Sequence, residues 1–500
     1  MNVTAAPQPS VSQDVEHFDV LIVGAGISGI DAAYHLQKNN PSKTFTLLEK
    51  QEDFGGTWHT HKYPGIRSDS DLFTFGYGWK PWRDKPIATA DKIIRYLDEV
   101  LDEQDIRRHI RYRQEVKSAK WSSEDQRWHV EVFDAEAGET RHYSGSFLWM
   151  CQGYYKHEQG YTPDFPGFET YKGTVVHPQK WPEDLDYAGK KVVVIGSGAT
   201  AATLIPAMAD KTEHITMLQR SPTYFFARPN ENELFSMLKP LDVPDEWVHE
   251  IVRKKILHDQ QMIQTLSFNQ PDYLKNELLT AAKEHLGDSV DIDKHFTPRY
   301  RPWRQRLALI PDGDLYKAIK AGKASVVTDE IDSFTETGIR TKSGEELEAD
   351  IVVTATGFDF CILGDVEFEI DGRRLDFSDC VTYRGVMYSG VPNMAWVFGY
   401  FRASWTLRAD LIADYISRLL THMDEKGATS VTPTLRDEDK GMNFGPFIDP
   451  ENFNPGYVMR SLHLLPKQGD KDPWRFEHDY HAEKNVLPAA ELDDGVLIYR

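Results

Sequence analysis

The sequence of 500 residues has few cysteines and an excess of negative charge. Its three cysteines lie far apart and form no CxxC pair, which argues against a disulfide scaffold, a zinc ribbon and a dithiol redox enzyme. This scarcity favours a reducing compartment. The 57 Lys and Arg residues against 78 Asp and Glu residues give a formal charge of −21. Nucleic acids and anionic membrane surfaces are therefore poor candidates as partners.

Long apolar runs and an early basic segment are also missing. No stretch approaches the roughly 18 consecutive apolar residues of a membrane span. The first basic residue is Lys38, so the basic region that opens a secretory signal is absent. Hydrophobic residues make up 40% of the chain, which is enough for a large core. We expect a globular, cytoplasmic protein of two or three domains, whose oligomeric state the sequence leaves open.

A first nucleotide-binding pattern lies near the start of the chain. Residues 18–23 predict a short strand, followed at once by Gly24-Ala-Gly26-Ile-Ser-Gly29 and by apolar residues at helical spacing. Such glycines let the backbone approach a pyrophosphate, and the helix N-terminus favours the phosphates. The next predicted strand ends in Glu49, whose carboxylate can bind a ribose hydroxyl. These residues predict a site for FAD or NAD.

The pattern recurs in the middle of the chain. An apolar strand leads into Gly196-Ser-Gly198-Ala-Thr-Ala201, in which Ala replaces the third glycine. The partner strand ends in Arg220-Ser221 rather than in an acid. A guanidinium and a hydroxyl match a 2′-phosphate, because Arg offers a planar fork of donors. The second site therefore predicts NADPH, and the first is assigned to FAD.

The predicted fold class is α/β, with two Rossmann-like dinucleotide-binding domains and a helical insertion in the second. The predicted segments are an FAD-binding part at 1–160, an NADPH-binding part at 161–224, the helical insertion at 225–294, a second NADPH-binding part at 295–345, and a second FAD-binding part with a surface-wrapping tail at 346–500.

Three segments carry predictions about packing. The insertion should contain a helix with an apolar stripe of Trp247, Ile251, Ile256 and Met262. It should lie over the cleft between the domains or serve as packed scaffold. A buried-type strand at 350–359 should return the chain to the first domain. A helix from Ser404 should direct its N-terminus at the flavin.

The segment between the two glycine patterns resembles a family signature. Residues 171–182, YKGTVVHPQKWP, are similar to the FxGxxxHxxxW(P/D) signature of type I Baeyer–Villiger monooxygenases, with Tyr171 in place of Phe. The segments 55–69, 300–307 and 355–359 also agree with that family. The resemblance covers nearly the whole chain and is greatest with the branch that contains the mycobacterial ethionamide-activating monooxygenase.

This resemblance implies an NADPH- and O2-dependent flavoenzyme. Such an enzyme inserts one oxygen beside a ketone carbonyl through a C4a-peroxyflavin and gives an ester or lactone. Arg306 is the implied catalytic cation, since it would stabilise the anionic oxidant, and Asp69 would hold that arginine. Gly56, Trp58 and Asp69 are implied on the FAD side.

The signature itself implies a different role. Gly173, His177 and Trp181 are expected to organise domain motion and the position of NADPH, rather than to transfer protons. The expected partners are O2 and a small-molecule ketone or thioether, and sulfoxidation is expected as a side activity.

Alternative functions share some of these features. A flavin monooxygenase of soft nitrogen or sulfur nucleophiles would use the same glycine patterns, but its signature typically ends in Phe or Tyr rather than in Trp181. A disulfide reductase needs a redox cysteine pair, which is missing. A non-catalytic nucleotide sensor is a further alternative. Asp69 and Arg306 are both present, and this gives that alternative no support. The pair His59 and His61 lacks a third ligand nearby, so no metal site is predicted.

Overall fold

The computed structural model describes residues 15–500. The buried run at residues 20–23 lies in the centre of a mixed sheet, where strand Glu16–Val23 pairs in parallel with neighbours on both sides. A strand covered on both faces is apolar throughout, which explains the uninterrupted run in the sequence. In sheet order the strands are Arg373–Arg374, Glu367–Ile370, Gln114–Ser122, Arg127–Asp134, Glu139–Met150, Glu16–Val23, Phe45–Leu48 and Ile110–Arg111, with Met394–Trp396 paired to Glu139–Met150.

Two helices from opposite ends of the chain cover one face of this sheet. Helix Ile27–Asn39 follows the first glycine turn and packs against helix Trp405–Lys426. Gly29 is required where the first helix meets the turn, because a Cβ there would lie 1.9 Å from the Gly24 carbonyl oxygen. The helix predicted from Ser404 is thus confirmed, with Ser404 as its N-cap.

The second domain contains a parallel sheet. Its strands, in order, are Ala324–Thr328, His214–Gln219, Lys191–Ile195, Ile351–Thr354 and Thr174–Val176. Helices Ala199–Met208 and Asp314–Lys320 pack on it and on each other. Each domain therefore places a strand, a glycine turn and a helix in the Rossmann order, which confirms the predicted fold class.

One predicted boundary is wrong. Strand Ile351–Thr354 pairs with Lys191–Ile195 and Thr174–Val176, within the second sheet. The second domain therefore continues past residue 345, and the chain returns to the first domain only after Thr354. A buried apolar run predicts a central strand but does not tell which sheet contains it.

The chain crosses between the domains twice, and the two crossings are paired. Strand Tyr155–Gly160 leaves the first domain, strand Phe358–Phe360 returns to it, and the two pair in an antiparallel arrangement. The domains are thus joined by a two-stranded connection.

The helical insertion contacts both domains. Its long helix, Asp245–Asn269, buries Val248, Val252 and Ile256 in the core of the first domain. Helix Pro271–Leu286 packs on the second.

The predicted stripe of the long helix is only partly correct. Ile256 is buried, but Trp247 is 65% exposed, and Ile251 and Met262 are exposed as well. The buried face instead includes two polar residues with hydrogen-bond partners. His249 accepts from the Trp82 amide at 3.2 Å, and Arg253 donates to the Phe73 and Gly76 carbonyls at 2.9 and 3.0 Å. Apolar periodicity alone pointed to the wrong side, because hydrogen bonds to another element let these two polar side chains be buried.

Apart from helix Ala90–Glu103, the remaining elements are short. Among residues 15–500, every helix is too short or too polar to span a bilayer. The other strands are Phe225–Arg228, Ala308–Pro311, Ile331–Thr335, Gly338–Thr341, Glu346–Glu348, Thr382–Tyr383, Met387–Tyr388, Val431–Pro433, Phe444–Pro446, Lys467–Gly469 and Leu497–Tyr499. The other α-helices are Thr57–Thr60, Leu72–Phe75, Ala90–Glu103, Glu233–Leu238, Ile292–His295, Gly456–Ser461 and Tyr480–Val486.

Candidate active site

The first glycine turn is fastened to the acid that was predicted to accompany it. Gly24 has φ 101°, in the left-handed region that favours glycine. The Glu49 carboxylate accepts the Ala25 amide at 2.7 Å and the Gln51 amide at 2.8 Å. Burial raises the pKa of Glu49, although these two donors oppose the shift. The carboxylate is thus fixed at the end of its strand, beside the turn.

A long pocket begins at this turn and ends at the predicted catalytic pair. Gly29 does not line the pocket and instead lies beneath the turn. Ala403 and Trp405, at the start of helix Trp405–Lys426, border the pocket, and the orientation of this helix towards the flavin stays a prediction. Of the residues predicted on the FAD side, the pocket is lined by Gly24, Gly26, Glu49, Gly56, Trp58 and Asp69.

The pocket suits a dinucleotide. The first helix has Gly26 as its N-cap and no side-chain cap, so its first amides remain for an anion. A Cβ on Gly56 would approach the Gly26 Cα at 3.3 Å, so bare backbone forms this part of the wall. Bare amides, a buried carboxylate and an extended cavity together fit the phosphates, ribose and ring system of FAD.

The second glycine turn has the same local geometry. Gly196 has φ 125°, and a Cβ there would meet the Ala355 carbonyl oxygen at 2.3 Å. Among the described residues, no atom lies within 4 Å of a Cβ built on Gly198, so a ligand can reach the backbone. Gly198 is also an N-cap without a side-chain hydrogen bond. Ala201 is buried under the turn, as the third position requires.

Arg220 and Ser221 lie just beyond strand His214–Gln219 and are exposed. Within residues 15–500, no carboxylate pairs with Arg220, so its guanidinium is available to a phosphate. The turn and this arginine together fit NADPH.

The catalytic pair predicted from the sequence is brought together across the two domains. Arg306 donates from Nε and Nη2 to the two carboxylate oxygens of Asp69, each at 2.6 Å. Burial by itself would lower the pKa of Arg306. The negative charge of Asp69 outweighs burial, so the pKa of the guanidinium lies above its ordinary value. About a third of the Arg306 side chain is exposed, at 34%, and it faces the pocket. The pocket therefore holds a permanent, oriented cation.

Three tyrosines around this arginine were missed by the sequence analysis. Burial raises the pKa of Tyr154, Tyr155 and Tyr457, so their phenols stay protonated. Tyr154 and Tyr155 line the pocket, and their rings are stacked with centroids 4.9 Å apart. Their position just after strand Glu139–Met150 was a usable signal, because ligands bind at the carboxyl ends of such strands.

His177 connects the two crossings. Its Nε2 lies 3.0 Å from the Gly357 carbonyl oxygen, and its Nδ1 accepts the Gln179 amide at 3.2 Å. These partners assign the ring proton to Nε2. Burial lowers the pKa of His177, which favours this neutral form. Gly160, at the end of the other crossing, packs against the ring, since a Cβ there would lie 1.8 Å from its Cε1.

The other signature residues serve the second domain. The Tyr171 hydroxyl donates to the Ala349 carbonyl at 2.8 Å, and a Cβ on Gly173 would lie 2.2 Å from that hydroxyl. Trp181 is buried in the core of the domain and does not line the pocket. Of the three predicted signature residues, His177 alone reaches the crossings.

Comparisons with known proteins agree with this site. The model of the flavin-binding monooxygenase-like family matches residues 18–370. The chain is 46% identical over 488 residues to the probable FAD-binding monooxygenase AlmA of Acinetobacter baylyi, covering 96% of each chain. It is also 46% identical over 484 residues to the FAD-containing monooxygenase EthA of Mycolicibacterium smegmatis, covering 96% of this chain and 97% of the relative.

Solved structures show the same architecture. An oxidised steroid monooxygenase bound to NADP superposes with a TM-score of 0.69 at 25% identity, covering 85% of this chain and 88% of the other. The open structure of a cyclohexanone monooxygenase gives a TM-score of 0.70 at 22% identity, covering 84% and 90%. Because the identity to the cyclohexanone monooxygenase is 22%, this similarity supports a shared fold only. The family and these names agree with the predicted cofactors, FAD and NADPH.

Proposed function

Because the chain belongs to the flavin-binding monooxygenase-like family, we propose that it is a Baeyer–Villiger monooxygenase that uses NADPH and O2. It inserts one oxygen atom beside a ketone carbonyl and gives an ester or lactone. The prediction of an FAD-containing monooxygenase is confirmed by the family and the relatives. Oxygen insertion beside a ketone carbonyl is the more specific activity that we propose here.

The Arg306–Asp69 pair carries this proposal. Oxygen insertion beside a carbonyl needs a nucleophilic, anionic oxidant, and a fixed cation stabilises negative charge that develops in a pocket. When bound, FAD supplies the activation of O2 after reduction by NADPH. Arg306 provides the permanent cation, and the two hydrogen bonds that it donates to Asp69 hold its guanidinium in one orientation.

The remaining residues of this pocket bind FAD and orient it. Gly24, Gly26 and Gly29 shape the FAD turn, Glu49 binds the ribose, and Gly56, Trp58 and Asp69 border the ring system. Water is excluded by the aromatic walls that Trp58, Tyr154 and Trp405 contribute, which favours transfer of oxygen over its loss as peroxide.

NADPH is bound at the second turn. Gly196, Gly198 and Ala201 form the cradle for its pyrophosphate, and Arg220 and Ser221 bind its 2′-phosphate. We assign His177 to the position of the two domains, since it holds the paired crossings together. Gly173 and Trp181 support it from within the second domain.

Product analysis tests the function directly. The FAD-loaded enzyme is given NADPH, isotopically heavy O2 and a mixture of 2-alkanones, an aryl ketone and a thioether. An ester that carries one heavy oxygen is the expected product, with sulfoxide as a side product. Sulfoxide formed while every ketone is recovered unchanged would overturn the carbonyl chemistry. In that case, the enzyme would be an oxygenase of soft nucleophiles.

A further inference from the structure

A second cavity of about 750 Å³ lies beside the catalytic pocket. It is bounded by the long insertion helix and by the C-terminal segment, through residues such as Phe268, Asn452 and Asp479. The two cavities share a wall, because Tyr400 and Ala403 line the catalytic pocket and the intervening residues 401–402 line the second cavity.

Two arginines meet beside this cavity: Arg402 lines it, and Arg301 packs on Phe268, which lines it too. The guanidinium carbons of Arg301 and Arg402 lie 4.2 and 4.8 Å from the centroid of the same ring, that of Phe268. Both donate to a single carbonyl oxygen, that of Asn452, at 3.2 and 2.9 Å. Within residues 15–500, neither arginine forms an ion pair, whereas Arg304 in the same loop pairs with Glu451 at 3.2 Å.

The surroundings of the two arginines destabilise their positive charges when no ligand is bound. Burial lowers the pKa of Arg402 to about 10, and the charge of Arg301 contributes to the shift. Burial also lowers the pKa of Arg301. Two half-buried like charges that share one acceptor are stabilised by a bound anion, since Arg forks match carboxylate and phosphate oxygens.

The nearby carboxylates are already engaged. Asp479 accepts the His481 and Ala482 amides at 2.7 and 3.1 Å and the Gln264 side chain at 3.0 Å. Asp449 accepts the Glu451 amide at 2.9 Å and the Asn452 side chain at 2.6 Å. These acids cap a helix and a turn and form no ion pair with the two arginines, and their charges offset only part of the fall in the pKa of Arg402.

We propose that Arg301 and Arg402 bind the carboxylate of the substrate, while its apolar part lies along Phe268 and leads to the Arg306 pocket. The inference rests on the proposed function, because it makes the substrate a ketone or thioether that carries a carboxylate. Phe268 is 40% exposed, so it offers an apolar surface beside the two charges.

Equilibrium binding tests the anion site without turnover. Octanoate is titrated into the FAD-loaded enzyme by calorimetry, with octanol as the uncharged probe. We expect octanoate to bind more tightly than octanol, and Arg402→Gln and Arg301→Gln each to weaken octanoate by about tenfold to hundredfold. Equal octanoate affinity in the wild type and both variants would overturn the site, as would binding of inorganic phosphate without octanoate.

Two controls separate this role from a structural one. Arg475→Gln removes an arginine that lines the same cavity but already pairs with Glu477, so octanoate affinity should stay unchanged. Arg402→Gln should not lower the melting temperature, because removal of a partly desolvated charge without an ion pair offsets the lost contacts with Asn452 and Phe268. A clear drop would indicate that the arginine serves the fold instead.

Steady-state turnover tests whether the bound carboxylate belongs to the substrate. A methyl ketone and a thioether, each with a terminal carboxylate, are compared with their methyl esters by kcat/KM. The acids should be preferred about tenfold or more in the wild type, and the preference should disappear in Arg402→Gln. If octanoate binding depends on Arg402 but no acid is preferred, the carboxylate belongs to a separate ligand and the substrate assignment fails. If nothing is oxidised, the proposed function fails while the binding result still stands.

Discussion

Arg306 and Asp69 belong to different domains, yet two hydrogen bonds of 2.6 Å join them at the end of the flavin pocket. The pair therefore exists only when the domains are in the observed arrangement. The cation that we assign to the oxidation step is thus tied to the position of the second domain.

Replacement of Arg306 separates the two half-reactions. Arg306→Ala should lower ester formation at least about 100-fold, because the cation that stabilises the developing charge is lost. Flavin reduction by NADPH, followed by stopped-flow absorbance, should stay within about threefold of the wild type, since no hydride transfer is assigned to this residue. Arg304→Ala, which removes a neighbouring ion-paired arginine, is the control. A variant that still makes ester at the wild-type rate would remove Arg306 from its role.

Arg220 should determine the choice of coenzyme. Arg220→Gln removes the guanidinium proposed for the 2′-phosphate, so the KM for NADPH should rise by about tenfold to hundredfold. The KM for NADH should change little, because NADH has no phosphate at that position. Steady-state oxidation of both coenzymes measures the effect, and equal losses for the two would contradict the assignment.

Gly160 should be intolerant of even one methyl group. In Gly160→Ala the new Cβ would lie 1.8 Å from the His177 ring, so the ring must leave its place between the crossings. We expect a loss of about 1–3 kcal/mol in the free energy of unfolding and slower reduction by NADPH. Gly441→Ala is the matched control, because its Cβ would meet no described atom within 4 Å.

A double substitution identifies the cause. Adding His177→Ala to Gly160→Ala should cost less than the sum of the two single changes, since the clash disappears with the ring. Additive costs would show that Gly160 acts independently of His177.

Acid should destabilise the fold through buried histidines. Burial lowers the pKa of His61 to about 3 and those of His157 and His249 to about 4. The unfolded chain binds protons on these residues below about pH 6.5, and the folded chain does not. Stability is thus present above pH 6.5 and is lost as the pH falls, by about 1–2 kcal/mol for each residue between pH 6.5 and 5.

Denaturant unfolding over this pH range measures the effect. His61→Phe should make the acid loss shallower, because its ring packs among aromatic neighbours such as Tyr63 and Tyr155 without a titrating nitrogen. His129→Phe, at an exposed site, should leave the slope unchanged. A slope that is the same in the wild type and in His61→Phe would contradict the role of His61.

Local patterns predicted the two strand–turn–helix units correctly. A strand, a glycine turn and a helix are contiguous in sequence, so Gly24, Gly196 and Glu49 could be placed without knowledge of the rest of the fold. The Arg306–Asp69 pair joins segments 237 positions apart, and the family resemblance predicted it, not the spacing.

Features that depend on long-range pairing were less predictable. Strand Ile351–Thr354 is apolar and would suit either sheet, so its true neighbours could not be inferred from its composition. The long insertion helix buries His249 and Arg253 because carbonyls and an amide of the first domain complement them. Those partners lie far away in sequence, and helical periodicity contains no information about them.

The second domain is nested within the first, which sets an order of events during synthesis. Strand Ile351–Thr354 completes the second sheet before Met394–Trp396 and helix Trp405–Lys426 of the first domain have emerged from the ribosome. The coenzyme module can therefore close while its host is still missing a strand and a covering helix. Trp405 borders the pocket that we assign to FAD, so this pocket is complete only in the last quarter of translation. Ribosome-bound chains stalled far enough beyond Phe360 for that residue to have left the exit tunnel, but before Met394 emerges, should already protect the nested domain from protease, while the N-terminal part of the host remains cleavable.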